Sequence, residues 1–368
     1  MNLLNNLISE SELKKFQKSS SSELAVNQKA KLLYRQQSSR KGFPRLINNL
    51  QKLDNQKKEV VEINNIPTTL VFNPTRSQSI KSTTFLKNEK LNSCVLCNTP
   101  SNQKSFLFLN NRYAILANPG ITIPGDLTIP ATSHKKQTIY KNFSDMLKIS
   151  HKLTDYSIYF NGARAGASCP HLHFQAGKEK KLIGEKQIFK ALDKPNFNGT
   201  DILSISNSDI NFYYLNNFVR ECYIIRSSQP KFLTEIFQFI MNKLREVNKN
   251  FGVESHVPEF GNYISAFDEY EEEARVNLMA NYQKSSKKYY VVFFPKRTNR
   301  PRSYYSDKHR LLLGMGIKES LGHIITCQES DFKYLKLNPN KIEAAFQDTS
   351  ITKKQSKTII NSIRSYLS

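Results

Sequence analysis

At 368 residues with a hydrophobic fraction of 39%, the chain is long enough to bury one large core or two ordinary ones. Its formal net charge of +23 attracts polyanions such as nucleotides and phosphate esters, but Lys and Arg are spread along the chain rather than gathered in one arm, which argues against specific nucleic-acid binding. No apolar run nears the roughly 18–20 residues of a membrane helix, the polar start MNLLNNLISESELKKF lacks a signal-peptide core, and an odd set of five cysteines suits a reducing compartment, so a cytoplasmic protein with no membrane partner is expected.

Residues 1–60 read as a helical segment, opened by the capping-box pattern Ser9…Glu12 and followed by a Leu-Leu-Tyr stripe at 32–34. Residues 59–73 alternate as strands. After Cys94-Val-Leu-Cys97, apolar segments broken by Asn, Pro and Gly over 106–134 read as a meander of short strands. A helix is expected over 137–153, a strand from Asp155 into the Gly-rich turn GARAG, and another strand at HLHFQAG. The pattern then restarts: a strand near 218–228, a helix from Pro230 ending at Gly252, strands at 274–283, 287–297 and 320–327, and helices to the end. The fold expected is α+β, an antiparallel sheet with flanking helices in two halves packed together. The divisions are 1–60 (helical), 61–190 (catalytic half), 191–340 (second, degenerate half) and 341–368 (C-terminal helices).

Two stretches carry chemistry. In His171-Leu-His-Phe-Gln175, residues 171, 173 and 175 project from one face of a strand, so two imidazoles and a carboxamide share a surface. The preceding small residues, Gly166 and Ser168 among them, let a ligand approach backbone amides. Neutral imidazole is a good nucleophile toward phosphorus and a good leaving group afterwards; a metal-binding or solvent-facing histidine pair is the plain alternative. The Cys94/Cys97 spacing suits two thiolates on one ion; a redox pair or two core cysteines are the alternatives. His134 and His171 are the candidate third and fourth ligands, which would leave His173 free.

The string NGARAGASCPHLHFQAG resembles the active-site segment of the transferase branch of the histidine-triad superfamily, which includes galactose-1-phosphate uridylyltransferase, diadenosine tetraphosphate phosphorylase and GDP-galactose phosphorylase. The order CVLC, YAILANP, IPGDLTIP, SHKKQ and H-x-H-x-Q matches that branch over about 70–178, and more loosely over 205–335; uncharacterised bacterial relatives of these phosphorylases are similar too. The resemblance implies a histidine-triad-like fold, structural zinc on Cys94, Cys97, His134 and His171, a covalent nucleotidyl intermediate on His173, and a transferred phosphoryl group held by Gln175. Asn73 and Arg76 match an NPxR segment that would hold phosphate or base; Asn161 and Arg164 join Gly166 and Ser168 as substrate-binding candidates. Asp126 departs from the pattern, standing where many relatives have His in PGH.

Gln175 discriminates between reactions. Hydrolytic members have a third histidine there that protonates the leaving group, whereas a carboxamide only orients and stabilises. The expected enzyme is a nucleotidyltransferase or nucleotide phosphorylase. Its substrate would be a nucleoside diphosphate sugar or dinucleoside polyphosphate, and its acceptor phosphate or a sugar phosphate. A hydrolase with the same nucleophile and a non-catalytic nucleotide or nucleic-acid binding protein are the alternatives. Of the basic residues Arg76, Arg164, Lys178, Lys296 and Arg297, the first two are favoured as phosphate partners. Cys169, Cys222, Cys327 and His323 are expected in the core, and Asp268–Glu273 as a solvated acidic turn or helix start.

Overall fold

A computed structural model describes residues 2–17, 24–54, 56–76, 94–250 and 273–368. At the N-terminus, Glu10–Lys14 (α1) is capped by Ser9, whose hydroxyl accepts from the Glu12 N–H while Glu12 accepts from the Ser9 N–H. Val26–Ser38 (α2) and Pro44–Leu53 (α3) follow. Lys57–Ile63 (β1) and Ile66–Phe72 (β2) form a hairpin whose two turn residues, Asn64 and Asn65, both have left-handed φ (48° and 65°), which asparagine tolerates. His323–Thr326 (β13) adds to β2 in parallel, making a three-stranded sheet.

The rest of the sheet structure is one ten-stranded antiparallel sheet. Its strands are Ser105–Phe108 (β3), Tyr113–Ala117 (β4), Leu127–Pro130 (β5), Tyr156–Asn161 (β6), His173–Lys178 (β7), Asp201–Ser206 (β8), Asn211–Asn216 (β9), Tyr223–Ser227 (β10), Val276–Gln283 (β11) and Lys288–Pro295 (β12). Their order is β3-β4-β5-β7-β6-β11-β12-β10-β9-β8. The left five read third-fourth-fifth-seventh-sixth, and the right five repeat that winding in mirror order. Each is a three-strand meander, then a helix, then a hairpin whose last strand returns beside the third. The helix is Phe143–Lys152 (α4) in the first half and Pro230–Asn250 (α6) in the second. The two halves meet through equivalent strands, β6 and β11, in antiparallel register with Asn161 opposite Asn277.

Both faces of this sheet are covered, which is why β4 and β12 read as nearly unbroken apolar runs. One face, with Ile129, Phe160, Phe174, Leu278, Val291 and Phe293, is buried together with residues of α2, α4, α6 and Lys353–Leu367 (α10). On the other, Tyr159, Met279, Val292 and Phe294 pack with Ile188 and Phe189 of Ile183–Asp193 (α5) and with Ile317 of the short Ile317–Ser320 (α7). That second face also carries the polar residues Asn161, His173 and Gln175 at the sheet's open end. Glu329–Leu337 (α8) and Asn340–Thr349 (α9) contribute to a separate core with the β1–β2 hairpin.

Several sequence expectations shift. The helix expected over 137–153 begins at Phe143, because 134–137 is drawn out to run beside 170–173. The strand expected at His171 begins at His173, with His171 in an isolated bridge to Lys136. Cys222 and Cys327 are buried immediately outside β10 and β13, and His323 is buried within β13. The expected end of the long helix at Gly252, and Asp268–Glu272 of the acidic run, lie outside the described residues. Glu273 accepts from the Ile139 and Tyr140 N–H groups.

Candidate active site and metal centre

The segment 134–137 runs antiparallel to 170–173, and this brings two chemistries side by side. At one end, the side-chain donors of Cys94, Cys97, His134 and His171 all lie within 4.8 Å of one another. Cys94 Sγ is 3.5 Å and Cys97 Sγ 3.4 Å from His171 Nδ1, and Cys97 Sγ is 3.2 Å from His134 Nδ1. Bonds of about 2.3 Å to sulfur and about 2.0 Å to nitrogen at tetrahedral angles give S···N edges of about 3.5 Å, so the donor set fits zinc. The His171 Nε2–H donates to the Ala131 carbonyl at 2.9 Å. A carbonyl only accepts, so this bond fixes the tautomer whose Nδ1 lone pair faces the thiols. The Cys169 thiol lies 3.9 Å from Cys94 Sγ. Its hydrogen bond, with help from His171 and against burial, pulls the Cys94 thiol pKa well below its ordinary value. The order of the chain alone could not reveal that contact.

Two residues on, His173 is 5% exposed on the opposite side of the strand from Phe174. Its Nδ1–H donates to the His171 carbonyl at 2.8 Å, which leaves the lone pair on Nε2. Burial pushes its pKa down to about 4, so the ring is neutral at pH 7.

A cleft lined by Gln175 opens between the two halves. Of the residues expected to bind substrate, Arg76, Asn161, Gly166 and Ser168 line it, together with Gln175. Asn73, Arg164 and His173 itself are not among its lining residues; His173 lies behind Gln175, buried on the same face of β7. The Asn73 side chain accepts from the Thr75 N–H and hydroxyl, a local turn that leads the chain into Arg76. Arg164 adopts φ 59° in the loop that precedes Gly166. Gly166, at φ 125°, passes so close to Gly316 that a Cβ would sit 2.8 Å from its Cα, so this position accepts no side chain. The Asn161 carboxamide oxygen accepts from the Ile317 N–H at 2.7 Å, tying the two halves together at the cleft.

The far wall is made by residues not singled out from the sequence: Asn299 and Arg300, within the loosely matching stretch FFPKRTNRP, and Gly314, Gly316, Lys318 and Glu319. Lys318 forms a buried ion pair with Asp126. The Asp126 carboxylate also accepts from the Thr122 and Ile123 N–H groups. The aspartate that replaces histidine in the PGD turn is therefore matched by a lysine from the other half. Arg76 donates to the Gly120 carbonyl at 3.1 Å, and burial lowers its pKa against the attraction of Glu319 and Asp126. The cleft is thus lined by the Arg76 and Arg300 guanidinium groups, which suit a phosphate chain, with the Asp126-paired Lys318 and the Glu319 carboxyl beside them.

Residues 33–178 match a family model described as "Domain of unknown function (DUF4922)". No curated protein matches the sequence. Among solved structures, the chain is similar to yeast Ap4A phosphorylase Apa2, with a TM-score of 0.54 and 13% identity over 83% of this chain and 96% of that one. The same yeast enzyme in complex with Ap4A gives a TM-score of 0.48 at 13% identity, covering 83% of this chain and 96% of that one. The first likeness is one of fold: a mixed α+β molecule built on a large antiparallel sheet with flanking helices. No described helix is long and apolar enough to cross a membrane.

Proposed function

We propose that the protein is a nucleotidyltransferase or phosphorylase that cleaves a dinucleoside polyphosphate or nucleoside diphosphate sugar through a nucleotidyl-His173 intermediate. The observation that carries the reading is the His173 ring: neutral, with Nδ1–H committed to the His171 carbonyl and Nε2 left with the lone pair, on the same face of β7 as Gln175, which lines the cleft. The yeast neighbour acts on Ap4A by its name, which makes a dinucleoside polyphosphate the first substrate to try.

In the proposed first half-reaction, Nε2 bonds to the α-phosphorus and the bond from phosphorus to the bridging oxygen breaks. Electrons leave with the departing phosphate, and Nδ1–H stays hydrogen-bonded to the His171 carbonyl. Gln175 orients the phosphoryl oxygens, and Arg76, Arg300 and Lys318 offset charge along the phosphate chain. Inorganic phosphate or a sugar phosphate then takes the nucleotidyl group from the imidazole. Gln175 has no proton to give to a poor leaving group, which favours phosphate departure over hydrolysis. Zinc on Cys94, Cys97, His134 and His171 would supply structure only, fixing the backbone that precedes the nucleophile. We assign 61–190 as the catalytic half, 191–340 as the second half, and the flanking 1–60 (helical up to the start of β1 at Lys57) and 341–368 as supports.

The test is turnover of Ap4A and of nucleoside diphosphate sugars with and without inorganic phosphate, with mass analysis of the intact protein. Phosphate-dependent products and one nucleotidyl adduct per chain, lost in His173→Ala, are expected. Turnover independent of phosphate, or no adduct across the panel, would overturn the reading.

A further inference from the structure

Strands β6 and β7 do not stay paired to their ends. Their register runs from Tyr156 opposite Lys178 to Tyr159 opposite Gln175 and stops there. Continued for two more residues, it would set Asn161 opposite His173. Both residues are still in strands, but each pairs outward: Asn161 with Asn277 of β11, and His173 with Pro130 of β5. A sheet that splits between two central strands leaves backbone groups there without their ladder partners, and buried groups of that kind need a replacement.

Gln137 is that replacement. Its side-chain oxygen accepts from the His173 N–H at 2.8 Å, and its Nε2 donates to the Asn161 carbonyl at 2.9 Å and to the His173 carbonyl at 3.2 Å. Only this orientation of the amide satisfies all three contacts. The residue is fully buried, and its own N–H donates to the Pro170 carbonyl at 3.0 Å. A carboxamide therefore stands between the two strands as an added peptide-like group, holding them apart at the level of His173. It lies three residues after His134 on the segment that runs beside 170–173, so the metal centre and the wedge are fixed by one short stretch of backbone. In the second half the corresponding hairpin is fully zipped: β11 and β12 pair without a break from Val276 opposite Pro295 to Gln283 opposite Lys288.

We infer that Gln137 is a positioning residue that splays β6 from β7 and thereby aims the His173 imidazole at the bound phosphorus. The inference rests on the reading of His173 as nucleophile. Without the carboxamide the strands can close by direct pairing of Asn161 with His173, which rotates the first residue of β7. The loss falls on the chemical step, since among the cleft's lining residues Gln137 bonds to the Asn161 backbone, and the Asn161 carboxamide keeps its bond from the Ile317 N–H. A displacement of about 1 Å at a nucleophile costs on the order of 10²-fold in rate.

The test compares wild type, Gln137→Met, which keeps the length and volume and removes all three hydrogen bonds, and Gln137→Asn, which keeps the amide but is one methylene too short. The readouts are adduct formation in a single turnover with Ap4A, KM, metal content, and hydrogen exchange at the His173 amide. Both variants are expected to keep KM within about threefold and a full metal complement, while adduct formation slows by about 10²-fold and the wild-type His173 amide is protected. Variants that form the adduct at the wild-type rate, or a wild-type His173 amide that exchanges freely, would overturn the inference, and the exchange readout holds even if Gln137→Met fails to fold. Absence of an adduct in wild type would instead sink the nucleophile assignment, a separate outcome.

Discussion

The two halves of the large sheet wind the same way and differ in what they do with one hairpin. Matching strand boundaries (Tyr156 with Val276, Lys178 with Pro295, Leu127 with Tyr223) places Tyr290 and Val292 where the first half has His173 and Gln175. Tyr290 packs edge-on against Phe189, and the Arg226 guanidinium lies 5.9 Å from its ring. No group of Cys, His or acidic residues among the described residues, other than the four-residue cluster of the first half, is arranged to hold a metal. The second half contributes to function sideways: it sends Asn299, Arg300, Lys318 and Glu319 across to wall the first half's cleft. On the proposed reading the two copies of this winding divide the work: the first holds the nucleophile and Arg76, and the second brings Arg300 and Lys318 to the same cleft.

The largest break of that division is His173→Ala, expected to lower turnover at least about 10³-fold with no change in thermal stability beyond the small cost of a truncated buried ring. A residual rate within tenfold of wild type would move the nucleophile elsewhere. Next comes the metal. Cys97→Ser removes a donor that lies against both imidazoles. Its metal content by elemental analysis is expected to fall from one ion per chain to near zero, and with it several kcal/mol of stability, since metal binding to a preformed site counts toward folding. An unchanged melting temperature in the metal-free variant would show that the scaffold does not depend on the ion.

Much of the first half was legible because its chemistry is written locally. H-x-H-x-Q and C-x-x-C each occupy a handful of residues, and a period-two pattern places 173 and 175 on one face without further information. The second half was legible as strands but not as a wall of the cleft. Arg300 sits on the loop after β12 and Lys318 in α7, and their position depends on α7 packing against the sheet and on β13 joining β2, a pairing of residues more than 200 apart in sequence. Gln137 was absorbed into an expected helix because an amphipathic stretch continues upstream of Phe143, and nothing local reveals that its amide is needed elsewhere. Asp201–Ser206 carries little signal because it is the sheet's edge strand, half exposed and rich in Ser.

The seam between the halves offers a smaller, pH-dependent effect. Glu185 of α5 lies under the β6–β11 junction, where Ser157 of β6 donates to it and Asn281 of β11 donates in turn to the Ser157 hydroxyl. Burial raises its pKa to about 7. A carboxyl whose folded pKa lies above its unfolded value contributes fully below about pH 4.5 and loses that contribution as pH rises toward 7. Glu185→Gln is therefore expected to flatten the fall in stability between pH 5 and 7 and to be more stable than wild type at pH 8, by about 2–3 kcal/mol. Parallel stability curves for the two proteins by denaturant titration would rule out Glu185 as the source.

The finest test asks whether side chains alone make a half catalytic. Tyr290→His with Val292→Gln writes the H-x-Q pair into the second half at matched positions. The hairpin that would carry it stays zipped, with Asn281 still opposite residue 290, no carboxamide between the strands and no metal centre upstream. A histidine in a closed ladder has its backbone fixed in the ordinary pleat, and its ring meets α5 at Phe189 instead of a cleft. The expected adduct count is one nucleotide per chain, as in wild type, with turnover unchanged within about twofold and stability lowered by the roughly 1–3 kcal/mol that polar groups cost in an apolar contact. Two nucleotides per chain would mean that the splayed hairpin and its metal centre are dispensable, and that the difference between the halves is no more than the identity of two side chains.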